Sequence, residues 1–364
     1  MGAPPPVPSA GADGPRPLRV VAFGGGHGLA AALAAWRRIT PDLTAVVTVA
    51  DDGGSSGRIR REMPVLPPGD LRMALTALVD EDADTRQLAA LLQHRLGGSG
   101  ALAGHPVGNL VLTGLTELHG GDCVRALDDL CRLLGARGRV LPMADVPLDL
   151  VATVESTDPD DPARSRRIRG QAAIAATPGR VRDILVSPAD PPVHAAVLEA
   201  IASADVVSLG PGSWYTSVLP HLLVPRLRAA LAASGARVVV VLNLEPQPGE
   251  TDDFSPEEHL TVLQGHLGGV ALHSVIADAD SVVDRCGLLS AVRECGAELV
   301  LAPVAEDRGV PRHDPVRLAG ALREALRSVV ATRQGMEISE RVPQPLVPGP
   351  VREGDEGNAA HGAW

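Results

Sequence analysis

The chain contains no lysine, so all 33 basic residues are arginine. That excludes a P-loop lysine, a Schiff-base lysine and the nucleotide-pairing lysine of protein kinases. Aromatic residues are nearly as scarce: Phe23, Trp36, Trp214, Tyr215, Phe254 and Trp364 are the full set. Six rings cannot pave a groove on which the bases of a single-stranded nucleic acid stack. Positive charge is in deficit, with a formal net charge of -11. Broad, salt-dependent attachment to nucleic acid or anionic lipid needs a cationic face and is therefore not expected. The four cysteines, Cys123, Cys131, Cys286 and Cys295, include no C-x-x-C pair and fit neither a zinc site nor a small disulfide scaffold. They read as buried, reduced thiols. No apolar run approaches the ~18 residues that span a bilayer. The first residues lack a cationic patch followed by an apolar stretch, and the expected location is the cytoplasm.

What the chain has is a soluble globular balance, 45% apolar and 21% charged over 364 residues. Residues 1–17 hold six prolines and little to bury, and read as a disordered leader. Residues 334–364, rich in Pro, Gly and Glu, read as a disordered tail. Between them, 18–333 is expected to form a single nucleotide-binding α/β domain. Runs rich in Val, Ile and Leu begin at Leu18, Thr44, Ala204, Ala236, Ala271 and Ala297, and segments of helical periodicity such as those from Leu71 and Pro315 separate them. Continuous β-branched runs suit strands covered on both faces. The expected fold is a doubly wound α/β structure with a mostly parallel sheet. From about 137 to 188 the rhythm breaks into alternating segments, read as an antiparallel β insertion on that sheet.

The unusual residues fall where these strands end. Gly24, Gly25, Gly26, His27 and Gly28 follow the first strand and open a helix, where free N–H groups and the macrodipole favour an anion. Their spacing misses the dinucleotide fingerprint, since Leu29 stands at the third glycine position. After the second strand come Asp51 and Asp52, then Gly53, Gly54, Ser55, Ser56, Gly57 and Arg58. Adjacent carboxylates beside a donor-rich loop suit a phosphate with Mg²⁺, or a ribose, although solvated turn acids carry the same pattern. Asp70 is placed as an N-cap, and Arg72 in the same first turn opposes the dipole unless an anion is near. His105 and Asn109 open a further helix; His105 taken singly reads as a hydrogen-bonded structural histidine ahead of a catalyst. Gly210, Pro211, Gly212, Ser213, Trp214, Tyr215 and Thr216 repeat the strand, glycine turn and helix pattern, and one of the two aromatics is expected to face a base or sugar. Asn243, Glu250 and Thr251 offer partners to hydroxyls, and Arg312 offers a bidentate clamp for a diphosphate. All these loops lie at one carboxyl edge, where open α/β sheets bind ligands. They point to one cleft for a nucleotide diphosphate conjugate.

Taken together, GGGHGL from Gly24, VTVADDGGSSGRIR from Val47, LPPGDLRMAL from Leu66, HPVGNL from His105, LGPGSWYTSVLPHLLVP from Leu209, QPGETDDF from Gln247 and RHDPVRLA from Arg312 resemble the gluconeogenesis factor family (YvcK-type). That family is a branch of the superfamily that includes 2-phospho-L-lactate transferase. The resemblance implies a Rossmann-like three-layer α/β fold in a cytoplasmic homo-oligomer that binds UDP-sugars and acts in carbon metabolism and cell-shape and cell-wall homeostasis, with a protein partner left open. The transferase relative implies instead a Mg²⁺-assisted transfer from a nucleotide-diphosphate-activated donor, with Asp51 and Asp52 as metal ligands and Asp52, Asp70 and His105 as catalytic candidates. Positions that carry over are Gly24 to Gly28, Asp51, Asp52, Asp70, Asn109 and Gly210 to Thr216. His27 departs from the family's usual threonine and Phe254 from its usual tyrosine, each removing a hydroxyl. The Gly-Ser-Trp-Tyr-Thr loop from Gly212 departs from the transferase's Ser-Asn-Pro and favours the nucleotide-sugar branch.

Overall fold

Residues 16–80, 82–155, 165–177, 179–247, 250–251, 254–307 and 310–327 are described by a computed structural model. In chain order the elements are β1 (Val20–Gly24), α1 (Gly26–Trp36), β2 (Leu43–Val47), α2 (Gly54–Glu62), α3 (Pro68–Ala77), α4 (Ala83–Gln93), α5 (Val107–Leu118), α6 (Cys123–Leu133), β3 (Arg139–Pro142), β4 (Asp149–Glu155), β5 (Ser165–Arg169), α7 (Gln171–Ala175) and β6 (Val181–Ser187). The second half adds α8 (Ala195–Ser203), β7 (Val206–Leu209), a π-helical turn (Trp214–Val218), α9 (Leu219–Leu223), α10 (Pro225–Ala233), β8 (Arg237–Val241), α11 (Pro256–Leu267), β9 (Ser274–Asp278), α12 (Arg285–Glu294), β10 (Glu298–Ala302) and α13 (Pro315–Ala325).

Seven strands form one sheet in the order β10-β9-β8-β7-β1-β2-β3, every pairing parallel. Every residue of β1, β7 and β9 is buried, the pattern of strands covered on both faces. Helix α1 packs on α3 and α13, while α8 packs on α10. The chain enters at β1, winds outward through β2 and β3, and then returns to the other side of β1 with β7. Strand order therefore reverses between β1 and β7, and that reversal leaves a crevice above their carboxyl ends.

The second sheet is small and antiparallel, in the order β5-β4-β6. Its central strand alternates half-buried and buried residues from Asp149 to Glu155, as expected when one face packs and the other meets solvent. The insertion is thus narrower than the 137–188 read from the sequence, and it is a separate sheet. Arg139–Pro142 pairs in parallel with β2 and closes the main sheet. A four-residue edge strand ending in proline carries too little periodicity to be separated from the alternating stretch behind it.

Two further expectations change. Asp70 does not cap α3, because Pro67 occupies the N-cap and Asp70 lies inside the first turn. Among the cysteines, Cys123 and Cys131 are buried, but Cys286 is exposed and Cys295 half-buried; all four are free thiols. Burial pushes the Cys123 thiol up to about 12, so it is inert at neutral pH. Residues 1–15 of the expected leader and the tail 334–364 lie outside the described residues. Among the described residues no helix is long and apolar enough to cross a membrane.

Candidate functional site

At the crevice between β1 and β7 two glycine loops meet with almost no space between them. A Cβ on Gly28 would lie 2.3 Å from the Pro211 carbonyl oxygen and 2.5 Å from the Gly212 Cα, and one on Gly212 would lie 3.8 Å from the Gly25 oxygen. Only glycine allows that approach. Beside the contact opens a cavity of about 390 Å³, lined by His27 and Gly28 after β1, Pro211 and Gly212 after β7, Asn243 to Gln247 after β8, and Pro311 to His313 before α13. Its size is at the lower end of small-molecule pockets. The N-cap residue of α1, Gly25, has no side chain to cap the helix, and the first amide of the helix, that of Gly26, donates to Asp70. His27 is exposed at this mouth. Arg312 lines the same cavity with an exposed guanidinium whose Nε lies 3.2 Å from Glu306, a surface pair that a phosphate can exchange at little cost. His313 completes the wall; burial pushes its imidazole down to about 4, so it is neutral here.

The other flank of α1 is acidic. A Cβ on Gly25 would lie 2.5 Å from Asp70 Oδ2 and equally close to Thr48, so the glycine loop rests directly against that carboxyl. Burial first, and the charge of Asp51 second, push Asp70 up to about 7, while the Gly26 N–H donates to it and opposes the rise. A half-buried carboxyl at that value exchanges its proton at physiological pH. Asp51 and Asp52 each spend one oxygen on the backbone, Asp51 Oδ1 accepting from the Gly53 amide at 2.9 Å and Asp52 Oδ1 from the Ala172 amide at 2.9 Å.

Behind these acids four buried side chains form a chain. Arg72 Nη1 donates to Asn109 Oδ1 at 3.2 Å, Asn109 Nδ2 donates to Ser55 Oγ at 2.9 Å, and Ser55 Oγ lies 2.7 Å from His105 Nδ1. Burial lowers the pKa of His105, and burial with Arg95 lowers Arg72 to about 10. His105 Nδ1 is therefore engaged by Ser55. Ser56 accepts from the Gly69 amide at 3.1 Å and pins the Asp70 loop to α2.

Some expected contacts are spent on structure. Arg58 turns away from the acidic pair and donates to the Ala103 carbonyl at 2.8 Å. Trp214 and Tyr215 are fully enclosed, with the Tyr215 hydroxyl donating to the Val181 carbonyl at 3.1 Å and Trp214 Nε1 to that of His259 at 3.1 Å. Neither faces a base or sugar; both hold the π-helical turn to its neighbours. Glu250, its carboxyl raised by burial, accepts from Ser213 at 2.7 Å and Thr216 at 3.0 Å, and Thr251 accepts from the Gln247 amide at 2.8 Å. These residues brace the loop that Asn243 fixes through paired bonds to the Gly212 amide and carbonyl, 2.9 and 2.8 Å. Phe254 stacks edge-on against Tyr215 and His259, beneath Arg180.

Residues without a readable signal also belong here. Gln171 of α7 donates to Thr216 at 3.3 Å, so the small sheet reaches both halves of the crevice, through Asp52 and through Thr216. Asp52 thereby acts as the N-terminal cap of α7. Replacing Asp52 with alanine is expected to cost about 1 kcal/mol and to raise amide exchange in residues 171–175, which hydrogen-exchange mass spectrometry checks; unchanged exchange there would show that the cap is idle.

Fold and site together define a doubly wound α/β protein with a glycine-walled crevice at the switch in strand order. The family model described as 2-phospho-L-lactate transferase CofD matches residues 20–302. This chain belongs to that family. Its relatives include a gluconeogenesis factor homologue of Mycobacterium tuberculosis, 52% identical over 328 residues covering 89% of this chain and 95% of the relative. They include the gluconeogenesis factors of Halalkalibacterium halodurans, 37% identical over 73% of this chain and 79% of that protein, and of Bacillus subtilis, 34% identical over 73% and 80%. A crystal structure of a UPF0052 family member from Bacillus halodurans superposes with a TM-score of 0.75 at 33% identity, covering 85% of this chain and all of that one.

Proposed function

We propose that this protein is a cytoplasmic regulatory protein of the gluconeogenesis factor type. It binds a nucleotide diphosphate sugar, a UDP-sugar, and links carbon metabolism to cell-shape and cell-wall homeostasis as a homo-oligomer. The observation that carries this reading is the cavity at the strand-order reversal, where His27 and Gly28 of the first turn of α1, Gly212 and Arg312 converge. The family's naming as gluconeogenesis factors supports the physiological part. Mg²⁺ fits the donor set, since Asp51 and Asp52 each keep a second carboxylate oxygen; among the described residues no cluster of three protein ligands exists, so phosphate and water would complete the shell. UDP-N-acetylglucosamine at a hundredfold excess over its Kd is expected to stabilise the protein by about 2.7 kcal/mol. Thermal denaturation with and without Mg²⁺, with UDP release followed in parallel, tests this: absence of stabilisation overturns the binding, and turnover overturns the purely regulatory role.

One observation favours a second reading, a transferase using a nucleotide-diphosphate-activated donor. Asp70, poised near 7 beside the anion loop, can accept the proton of an attacking hydroxyl. In that case Asp70→Asn abolishes transfer while preserving nucleotide binding.

A further inference from the structure

The small sheet ends in an edge whose charge is unlike the rest of the molecule. Four of the six residues from Arg164 to Arg169 are arginine, in a chain of net charge -11. Strand β5 lies at the margin of the sheet, paired with β4 on one side only, with Arg166 opposite Val154 and Arg167 opposite Thr153. Arg169 is paired with Asp149 at 2.6 Å, but Arg166 and Arg167 are exposed and make no ion pair among the described residues. An edge strand presents unpaired N–H and C=O groups, and charge on it normally discourages pairing with other chains. A run of one sign does so selectively: it repels a second copy of the same strand and attracts an acidic one.

The position of this edge gives its occupancy a consequence. Through Gly170, whose positive φ of 101° makes the turn, β5 runs straight into α7. Helix α7 is tied to Asp52 by the Ala172 amide and to Thr216 by Gln171, one contact on each half of the crevice. Any shift of α7 that accompanies ligand entry therefore moves the end of β5.

We propose that the open edge of β5 docks an extended acidic segment of a partner protein, which adds a fourth strand to the small sheet, and that α7 couples this docking to the crevice. Backbone pairing supplies the affinity and Arg166 and Arg167 the preference for acidic partners. The coupling half rests on the nucleotide-sugar reading; the docking half does not.

The test uses the full chain and a fluorescein-labelled decapeptide of alternating glutamate and valine, followed by anisotropy at low salt. Saturable binding is expected, at least tenfold weaker for the double variant Arg166→Glu with Arg167→Glu, and at least tenfold weaker for a backbone N-methylated peptide that keeps the charges. The corresponding lysine–valine peptide is expected not to bind. Absence of saturable binding by the acidic peptide, or equal affinity in the double variant, overturns the docking surface; equal affinity of the N-methylated peptide overturns strand addition. UDP-N-acetylglucosamine is expected to change the peptide affinity threefold or more. If the nucleotide sugar stabilises the protein yet leaves peptide affinity unchanged, the coupling is overturned while the nucleotide reading stands. If it fails to stabilise the protein, the nucleotide reading falls and the docking result is judged by itself.

Discussion

Gly28→Ala is expected to lower the urea midpoint by an amount corresponding to about 1–3 kcal/mol and to abolish nucleotide-sugar binding, although it adds a single methyl group. The methyl would meet backbone on both sides, the Pro211 carbonyl oxygen at 2.3 Å and the Gly212 Cα at 2.5 Å, and backbone cannot rotate out of the way as a long side chain can. The β1 and β7 loops must separate, and it is their close approach that shapes the crevice. Gly320→Ala supplies the control. It lies within α13 with no atom within 4 Å of an added Cβ, so ordinary helix propensity applies and about 0.5–1 kcal/mol of added stability is expected. Urea denaturation of both variants, with ligand titration of Gly28→Ala, decides the matter. A Gly28→Ala protein within about 0.5 kcal/mol of the parent would mean that the two loops are not in contact.

The second large effect is a change in pH dependence on replacing Asp70 with asparagine. A carboxyl raised from 3.8 to about 7 binds more protons folded than unfolded between those values. Stability therefore falls as pH rises from about 4 to about 7, and levels off above, where the ionised group costs the folded state most. At ~1.4 kcal/mol per pKa unit the upper bound is roughly 4 kcal/mol, and partial solvent access reduces the expectation to about 1–3 kcal/mol. The asparagine side chain keeps an oxygen for the Gly26 amide but carries no charge against Asp51. The Asp70→Asn variant is thus expected to match the parent near pH 4.5 and to exceed it by about 1–3 kcal/mol at pH 8. Urea midpoints at four pH values measure this, and parallel curves for the two proteins would refute the raised carboxyl.

The same carboxyl shows how far the sequence can be read. Its place at the start of a helix was legible from Pro67, Pro68 and Gly69, but its role was not, because a cap and a first-turn acid share one local pattern. What moves its proton affinity is burial against the wall formed by Gly25 and Thr48, together with Asp51, nineteen positions away. Arg58 and Tyr215 illustrate the converse. Each is a reasonable ligand contact by residue type, and each is taken by a carbonyl, Ala103 or Val181, that no spacing rule connects to it. Gln171 carried no signal, since it lies in an insertion whose link to the crevice exists only through space.

By itself, the sequence determined the alternation of parallel strands with helices and the placement of glycine and acidic loops after the strands. It also identified the family, since continuous apolar runs and glycine-rich turns are local patterns with local causes. Tertiary structure decided which of those loops share a wall, which polar side chains stay available and which are consumed as braces, and where β3 belongs. Those outcomes depend on contacts between residues tens to hundreds of positions apart, and burial and neighbouring charge, which set proton affinity and hydrogen-bond choice, exist only once the chain has closed on itself.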